Sequence, residues 1–126
     1  MKLLLLACAG GAVGAGLRHL VNLTTVRVIG LGVPWATLTV NVVGSFVMGV
    51  LTAFLLGRVP EAVGLRIFLA TGLLGGFTTF SAFSLDVVTL AERGEPGFAA
   101  VYVAASVCLS VGACLAGLYV ARGVLT

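Results

Sequence analysis

The sequence predicts an all-α integral membrane protein with four transmembrane helices. Sixty per cent of the 126 residues are apolar, nine per cent are charged, and the mean hydropathy is +1.24. An ordinary soluble domain has ~25% charged residues. Four stretches, 3–21, 34–57, 67–88 and 97–121, approach or exceed the roughly 20 residues that a spanning helix needs. They leave only short linkers, so we expect one transmembrane domain over 1–126 and no soluble domain.

The first span, residues 3–21, begins like a secretory leader. Lys2 is followed by four leucines, Ala7 and Cys8, an order that resembles a bacterial lipoprotein signal. A signal peptide needs an apolar region of roughly 7–15 residues before its cleavage site, so four leucines are too few. We therefore predict a membrane span. The three cysteines form no Cys-x-x-Cys pair, and we expect neither a disulfide framework nor a zinc site.

The second and fourth spans each carry polar side chains every four residues, which places each row on one helical face. The rows are Thr37, Asn41 and Ser45, and Tyr102, Ser106 and Ser110. For an isolated serine or threonine, hydrogen bonding between helices is the alternative explanation, at about 0.6–2 kcal/mol per contact. Asn41 differs, because its amide needs several partners and is costly to leave unsatisfied in hydrocarbon. We interpret Asn41 as part of a polar pathway.

The third span, residues 67–88, contains a glycine-rich segment that we expect to break its helix. Gly72, Gly75 and Gly76 are expected to loosen the backbone, and hydroxyls follow at Thr78, Thr79, Ser81 and Ser84. Phe80 and Phe83 are three residues apart and share a helical face. Irregular backbone inside a bilayer is tolerated only where protein or water satisfies its polar groups. The segment therefore predicts a polar path inside the membrane.

Positive charge is nearly balanced between the two sides of the membrane. One side has Lys2, Arg58, Arg66 and Arg122, and the other has Arg18, Arg27 and Arg93. Because an excess of Lys and Arg orients a membrane protein, we expect insertion in both directions. Four short helices are too few to enclose a pore, so we expect an oligomer, and if both orientations are populated the economical closed assembly is an antiparallel two-fold homodimer. Gly10-x-x-x-Gly14 and Gly72-x-x-x-Gly76 offer small-residue faces for close helix approach.

The polar residues limit what such a path conducts. No Asp, Glu or Lys lies in the central part of any span, which excludes carboxylate exchangers and acid-ring cation channels. The basic residues form no polybasic run, so no nucleic-acid partner is expected. Amide, hydroxyl and phenyl-edge groups suit an anion, and Arg18 is expected to concentrate anions at a vestibule. From the residues alone we predict a pathway for a small anion.

Three motifs extend this interpretation over essentially the whole chain. They are Gly10-Gly11-x-x-Gly14-x-x-x-Arg18, Trp35-x-Thr37-Leu38-x-Val40-Asn41-x-x-Gly44-Ser45-Phe46, and Gly75-Gly76-x-Thr78-Thr79-Phe80-Ser81-x-Phe83-Ser84. Together they resemble the Fluc fluoride channels, also known as CrcB proteins. The resemblance implies a multi-pass protein of the bacterial inner membrane that passively exports fluoride and is not an enzyme. It also implies an antiparallel, dual-topology homodimer with two pores and a structural sodium ion (Na+) on the dimer axis.

The resemblance also implies roles for single residues. Phe80 and Phe83 match the pore phenylalanines, Asn41 the pore asparagine, and Arg18 the vestibular arginine. The hydroxyls along the fluoride path correspond to Ser81, Ser84 and Ser110, with Thr37 and Tyr102 near it. Gly75 and Thr78 would offer backbone carbonyls to sodium. The chain departs from the pattern at Ala82 and Asp86, where many members carry threonine and glutamate.

Two other classes of protein remain as alternatives. A small dual-topology multidrug exporter also has four spans, but it needs an intramembrane carboxylate in its first span, and residues 3–21 contain none. A purely structural membrane subunit would explain the glycines and the charge balance. It would not explain why Asn41, Phe80, Phe83 and the serines occur together.

Overall fold

A computed structural model describes residues 1–58 and 61–125, and every regular element in these residues is helical. The elements are α1 (Lys2–Val28), α2 (Trp35–Arg58), α3 (Val63–Arg66), a π-helical segment (Ile67–Leu74), α4 (Gly75–Phe77), α5 (Phe80–Glu92) and α6 (Pro96–Leu125). Four spans in this part of the chain are long and apolar enough to cross a membrane: α1, 35–55, 63–92 and 96–124. The predicted all-α fold with four spans is confirmed. Positions 59 and 60, in the linker between the predicted second and third spans, lie outside the described residues.

The first helix is longer than the sequence analysis predicted. It continues past Val21 to Val28, although polar residues begin at the predicted end. Thr24 and Thr25 donate their hydroxyl protons to carbonyls one turn earlier, at 2.9 and 2.8 Å. These bonds let polar side chains remain in the helix, because each hydroxyl is satisfied locally. The helix ends before Gly30, whose φ of +93° favours glycine.

The third span is interrupted, but not where the glycines predicted. Gly72 lies in the π-helical segment, where the backbone departs from an α-helix, whereas Gly75 and Gly76 lie in the short helix α4. The interruption lies at Thr78 (φ −79°, ψ 159°) and Thr79 (φ −153°, ψ 122°), both extended. We call these two residues the helix break.

The glycines of this span instead allow it to pack closely against α1. A Cβ atom added at Gly76 would lie 2.5 Å from the carbonyl oxygen of Gly11. Cβ atoms at Gly10 and Gly14 would likewise meet the backbone of the third span. The small-residue faces of the two spans therefore meet within one chain, where backbones approach closely.

A second glycine contact joins α2 to α6. A Cβ atom at Gly49 would meet the carbonyl of Cys114, and one at Gly117 would meet the carbonyl of Phe46. This close approach places the two polar rows on neighbouring helices. A small apolar core between α5 and α6 includes Phe83 and Tyr102. The packing thus brings the polar rows of α2 and α6 towards the helix break.

Candidate functional site

Asn41 on α2 holds the backbone of the helix break. Its Nδ2 donates to the carbonyl oxygen of Thr79 at 3.0 Å, and its Oδ1 accepts from the Thr79 backbone N–H at 2.8 Å. The Thr79 hydroxyl oxygen accepts from the N–H of Ala82 at 3.2 Å and caps α5. Asn41 therefore replaces the intrahelical hydrogen bonds that Thr79 loses by being extended.

Thr78 is satisfied by its own helix and by α1. Its N–H and its hydroxyl both donate to the carbonyl of Leu74, at 3.0 and 2.9 Å. Its carbonyl oxygen accepts from Nη1 of Arg18 at 3.4 Å. Every backbone N–H and C=O of Thr78 and Thr79 thus has a partner in the same chain. This accounting explains how an extended segment persists at membrane depth.

A groove with a volume of about 360 Å³ runs beside the break between α2, α5 and α6. Four of the residues that the sequence assigned to the fluoride path line it: Asn41, Phe80, Phe83 and Ser110. The rings of Phe80 and Phe83 have centroids 5.5 Å apart. Phe83 is 9% exposed, whereas Phe80 is 79% exposed. Phe83 is therefore packed inside its own chain, whereas the Phe80 ring touches Phe83 and leaves most of its surface uncovered.

Ser106 also lines this groove, although the sequence analysis left it out of the predicted site. Ser106 is 5% exposed, and its Oγ makes no hydrogen bond of standard geometry among the described residues, although it interacts with the Tyr102 hydroxyl. A buried hydroxyl without a partner is unfavourable, and most buried side-chain polar atoms have one. The four-residue spacing from Tyr102 to Ser110 was the signal for it. Ser106 therefore adds a hydroxyl to the groove wall, within interaction distance of the Tyr102 hydroxyl.

A vestibule cavity of about 380 Å³ lies on the other side of the break. Arg18, Thr37, Asp86 and Thr79 are among the residues that line it. Thr79 also lines the groove, so the two cavities adjoin at the break. A third cavity of about 270 Å³ shares Thr37 and Asp86 with the vestibule and extends to Arg93. The three cavities therefore share wall residues, with Thr79 standing between the vestibule and the groove.

Tyr102 connects the groove residues to the vestibule. Its hydroxyl donates to a carboxylate oxygen of Asp86 at 3.2 Å. Its ring packs against Phe83, with centroids 5.6 Å apart. Asp86, one of the two departures noted in the sequence, is thus held by the tyrosine hydroxyl.

Two predicted hydroxyls, Ser81 and Ser84, are not among the residues that line the groove. Ser81 is exposed on α5, and its Oγ lies 3.3 Å from the Thr79 hydroxyl oxygen. Ser84 donates to the carbonyl of Phe80 at 2.9 Å, which occupies its proton. Within a single chain, these serines lie apart from the groove formed around Asn41.

Backbone oxygens near the break have the chemistry to hold a hard cation. The carbonyl of Thr78 lies outside a helix and already accepts from a cationic group, Arg18. Gly75 lies one turn earlier, and it is exposed. The described residues contain no group of three or more His, Cys, Asp or Glu side chains that would suit a metal ion. The donor set therefore fits an alkali cation held by carbonyls better than a transition metal.

Comparison with known proteins gives a consistent family assignment. The family model described as "CrcB-like protein, Camphor Resistance (CrcB)" matches residues 5–118. A relative from Chelativorans sp. (strain BNC1) is 52% identical over 122 residues, covering 97% of this chain and 98% of its own. One from Rhodospirillum centenum is 53% identical, covering 97% of each chain. One from Agrobacterium fabrum is 48% identical, covering 93% of this chain and 94% of its own. All three are named "Fluoride-specific ion channel FluC". The resemblance predicted from the sequence is confirmed, and the chain belongs to the CrcB family.

Proposed function

We propose that this protein is a passive, fluoride-selective channel that lets fluoride leave the bacterial cytoplasm across the inner membrane. The observation that carries the proposal is the near-complete match to relatives named as fluoride-specific channels. The groove agrees with it, because its described lining includes an amide, hydroxyls and two phenyl rings but no acidic side chain. The small multidrug exporter is disfavoured, because α1 contains no carboxylate.

The donors in the groove suit a small anion. Fluoride is strongly hydrated, so a narrow path must replace its water with closely spaced hydrogen-bond donors. Ser106 and Ser110 offer hydroxyls, and the rims of Phe80 and Phe83 are electropositive. No energy source is needed, because a negative membrane potential drives the anion outwards by about 2.3 kcal/mol per charge per 100 mV.

A second copy of the chain is part of the proposal, in antiparallel orientation. Phe80 leaves 79% of its surface uncovered beside the groove, and Gly75 and Ser81 are also exposed nearby. A partner on this face would cover the phenyl ring and close the open side of the groove. The nearly equal numbers of basic residues on the two sides support dual topology, since such a chain has little charge bias to orient it.

A structural sodium ion on the dimer axis completes the proposal. Gly75 and Thr78 from each subunit would supply four carbonyl oxygens, which suit a hard monovalent cation. The support is that the Thr78 carbonyl lies outside a helix and attracts a cationic side chain. Sodium there would be structural and would not be transported.

Fluoride efflux from liposomes tests the function. Purified protein is reconstituted into vesicles loaded with potassium fluoride. A potassium ionophore lets potassium leave together with fluoride, so that no opposing membrane potential builds up, and a fluoride electrode records the efflux. We expect rapid fluoride efflux and no comparable chloride efflux from matched vesicles loaded with potassium chloride. Protein-free vesicles are the control. Fluoride efflux no faster than this control would contradict the proposal, and proton-driven transport of an aromatic cation would favour the exporter.

A further inference from the structure

Arg18 reaches the helix break from α1 and touches the oxygen that the proposed sodium site needs. Its Nη1 donates to the Thr78 carbonyl at 3.4 Å, and its side chain is half-buried in the vestibule wall. The Thr78 carbonyl therefore has two possible cationic partners, a guanidinium from its own chain and a metal ion.

Geometry allows both partners, because a carbonyl oxygen has two lone pairs. Electrostatics opposes the simultaneous binding of the guanidinium and the metal ion, because two cations on one oxygen lie only about 4–5 Å apart and repel strongly in a partly buried site. Asp86 lines the same vestibule and keeps its negative charge while it accepts from Tyr102, so it offsets part of this repulsion at a distance. The described residues give Arg18 no ion pair that would offset the repulsion, since its hydrogen bond goes to the Thr78 carbonyl.

We propose that Arg18 competes with sodium for the Thr78 carbonyl and so sets the sodium affinity of the helix break. This inference rests on the sodium site of the proposed function. Without sodium, the guanidinium satisfies a carbonyl that would otherwise be unpaired inside the membrane. When sodium is bound, Arg18 withdraws into the vestibule, whose polar wall contains Thr37 and Asp86.

The arrangement has a consequence for assembly. The break stays satisfied in a subunit that has not yet met its partner, because Arg18 and Asn41 supply its hydrogen bonds. A single inserted chain then needs no metal to fold. Sodium becomes necessary only when two breaks meet and their carbonyls face one another.

A sodium titration of the purified protein tests the inference, with thermal unfolding temperature as the readout. A large organic cation replaces sodium so that ionic strength stays constant. Because Arg18→Gln removes the competing charge, we expect its sodium midpoint to be roughly tenfold lower than that of the wild type. Arg18→Lys keeps the charge, and we expect its midpoint to stay much closer to that of the wild type. Arg93→Gln is the matched control, since it removes a positive charge from the third cavity, and its midpoint should not change.

The outcomes separate this inference from the proposals on which it rests. An Arg18→Gln midpoint equal to that of the wild type would overturn the competition and leave the sodium site standing. A wild type whose unfolding ignores sodium would overturn the sodium site and the competition together, while fluoride efflux still tests the channel. If Arg18→Gln is not recovered folded, Arg18→Met removes the same charge, and the same shift in midpoint is expected.

Discussion

Replacing Asn41 with leucine should destabilise the fold and not merely slow transport. Leucine has a similar size but cannot exchange hydrogen bonds with Thr79, whose N–H and C=O both depend on Asn41. Each buried polar group left without a partner costs about 1–3 kcal/mol, so the two together should cost about 2–6 kcal/mol. That loss is large beside the ~5–15 kcal/mol by which proteins are usually stable.

Unfolding in mixed micelles of mild detergent and dodecyl sulfate measures this loss, followed by the fluorescence of Trp35, the single tryptophan of the chain. Ser45→Ala is the matched control. Ser45 lies one turn after Asn41 and lines the same groove, but the described structure gives its side chain no hydrogen bond. We expect Ser45→Ala to change the unfolding free energy by less than about 1 kcal/mol. If Asn41→Leu were as stable as Ser45→Ala, Asn41 would not be what holds the break.

Three further predictions follow from exposure, glycine contacts and charge. Phe80→Ile and Phe83→Ile both remove an electropositive ring edge and should both slow fluoride efflux. Only Phe83→Ile should also lower the stability of the subunit, because Phe83 is 9% exposed and Phe80 is 79% exposed. Wild-type efflux in both variants would assign the rings to packing. Gly76→Ala places a Cβ 2.5 Å from a backbone oxygen and should cost about 1–3 kcal/mol in unfolding. The Cβ of Gly75→Ala would make only an ordinary contact at 3.7 Å, so this variant should keep the stability of the subunit and lower the yield of cross-linked dimer. An unchanged yield of dimer would place Gly75 away from the partner. Reporters fused after Arg122 should give signal on both sides of the membrane, and added lysines there should favour one side; a single fixed orientation would contradict dual topology.

The sequence was sufficient to predict the four spans, because apolar length and low charge determine which helices cross a bilayer. It was not sufficient to locate the interruption. Glycine indicates flexibility, but Gly72 and Gly76 are needed for close packing against α1, so they stay helical. Thr78 and Thr79 become extended because Asn41 and Arg18, both distant in sequence, supply replacement hydrogen bonds. Periodicity within one span does not reveal such partners.

The sequence also predicted the candidate site only in part, because helical spacing is visible within one span and contacts between spans are not. Four-residue spacing placed Asn41 and Ser110 on helical faces, and both line the groove. The same spacing includes Ser106, but the sequence does not reveal how deeply the neighbouring helices bury it. The roles of Ser81 and Phe80 in conduction remain predictions, because both lie on surface that the single chain leaves exposed.

The polar segment around the helix break has two roles, which are to hold the break within the chain and to offer groups to an ion or a second chain. Bonds from Asn41 and Arg18 satisfy the break within a chain, so they serve folding. The hydroxyl of Ser106 makes no hydrogen bond of standard geometry to the break, and the ring of Phe80 is 79% exposed, so these groups can contact an ion or a second chain. Substitution of Asn41 should therefore lower stability in unfolding measurements, before transport is assayed. Substitutions of the second kind should yield stable protein that transports poorly, because what they remove is completed only by fluoride or by the partner.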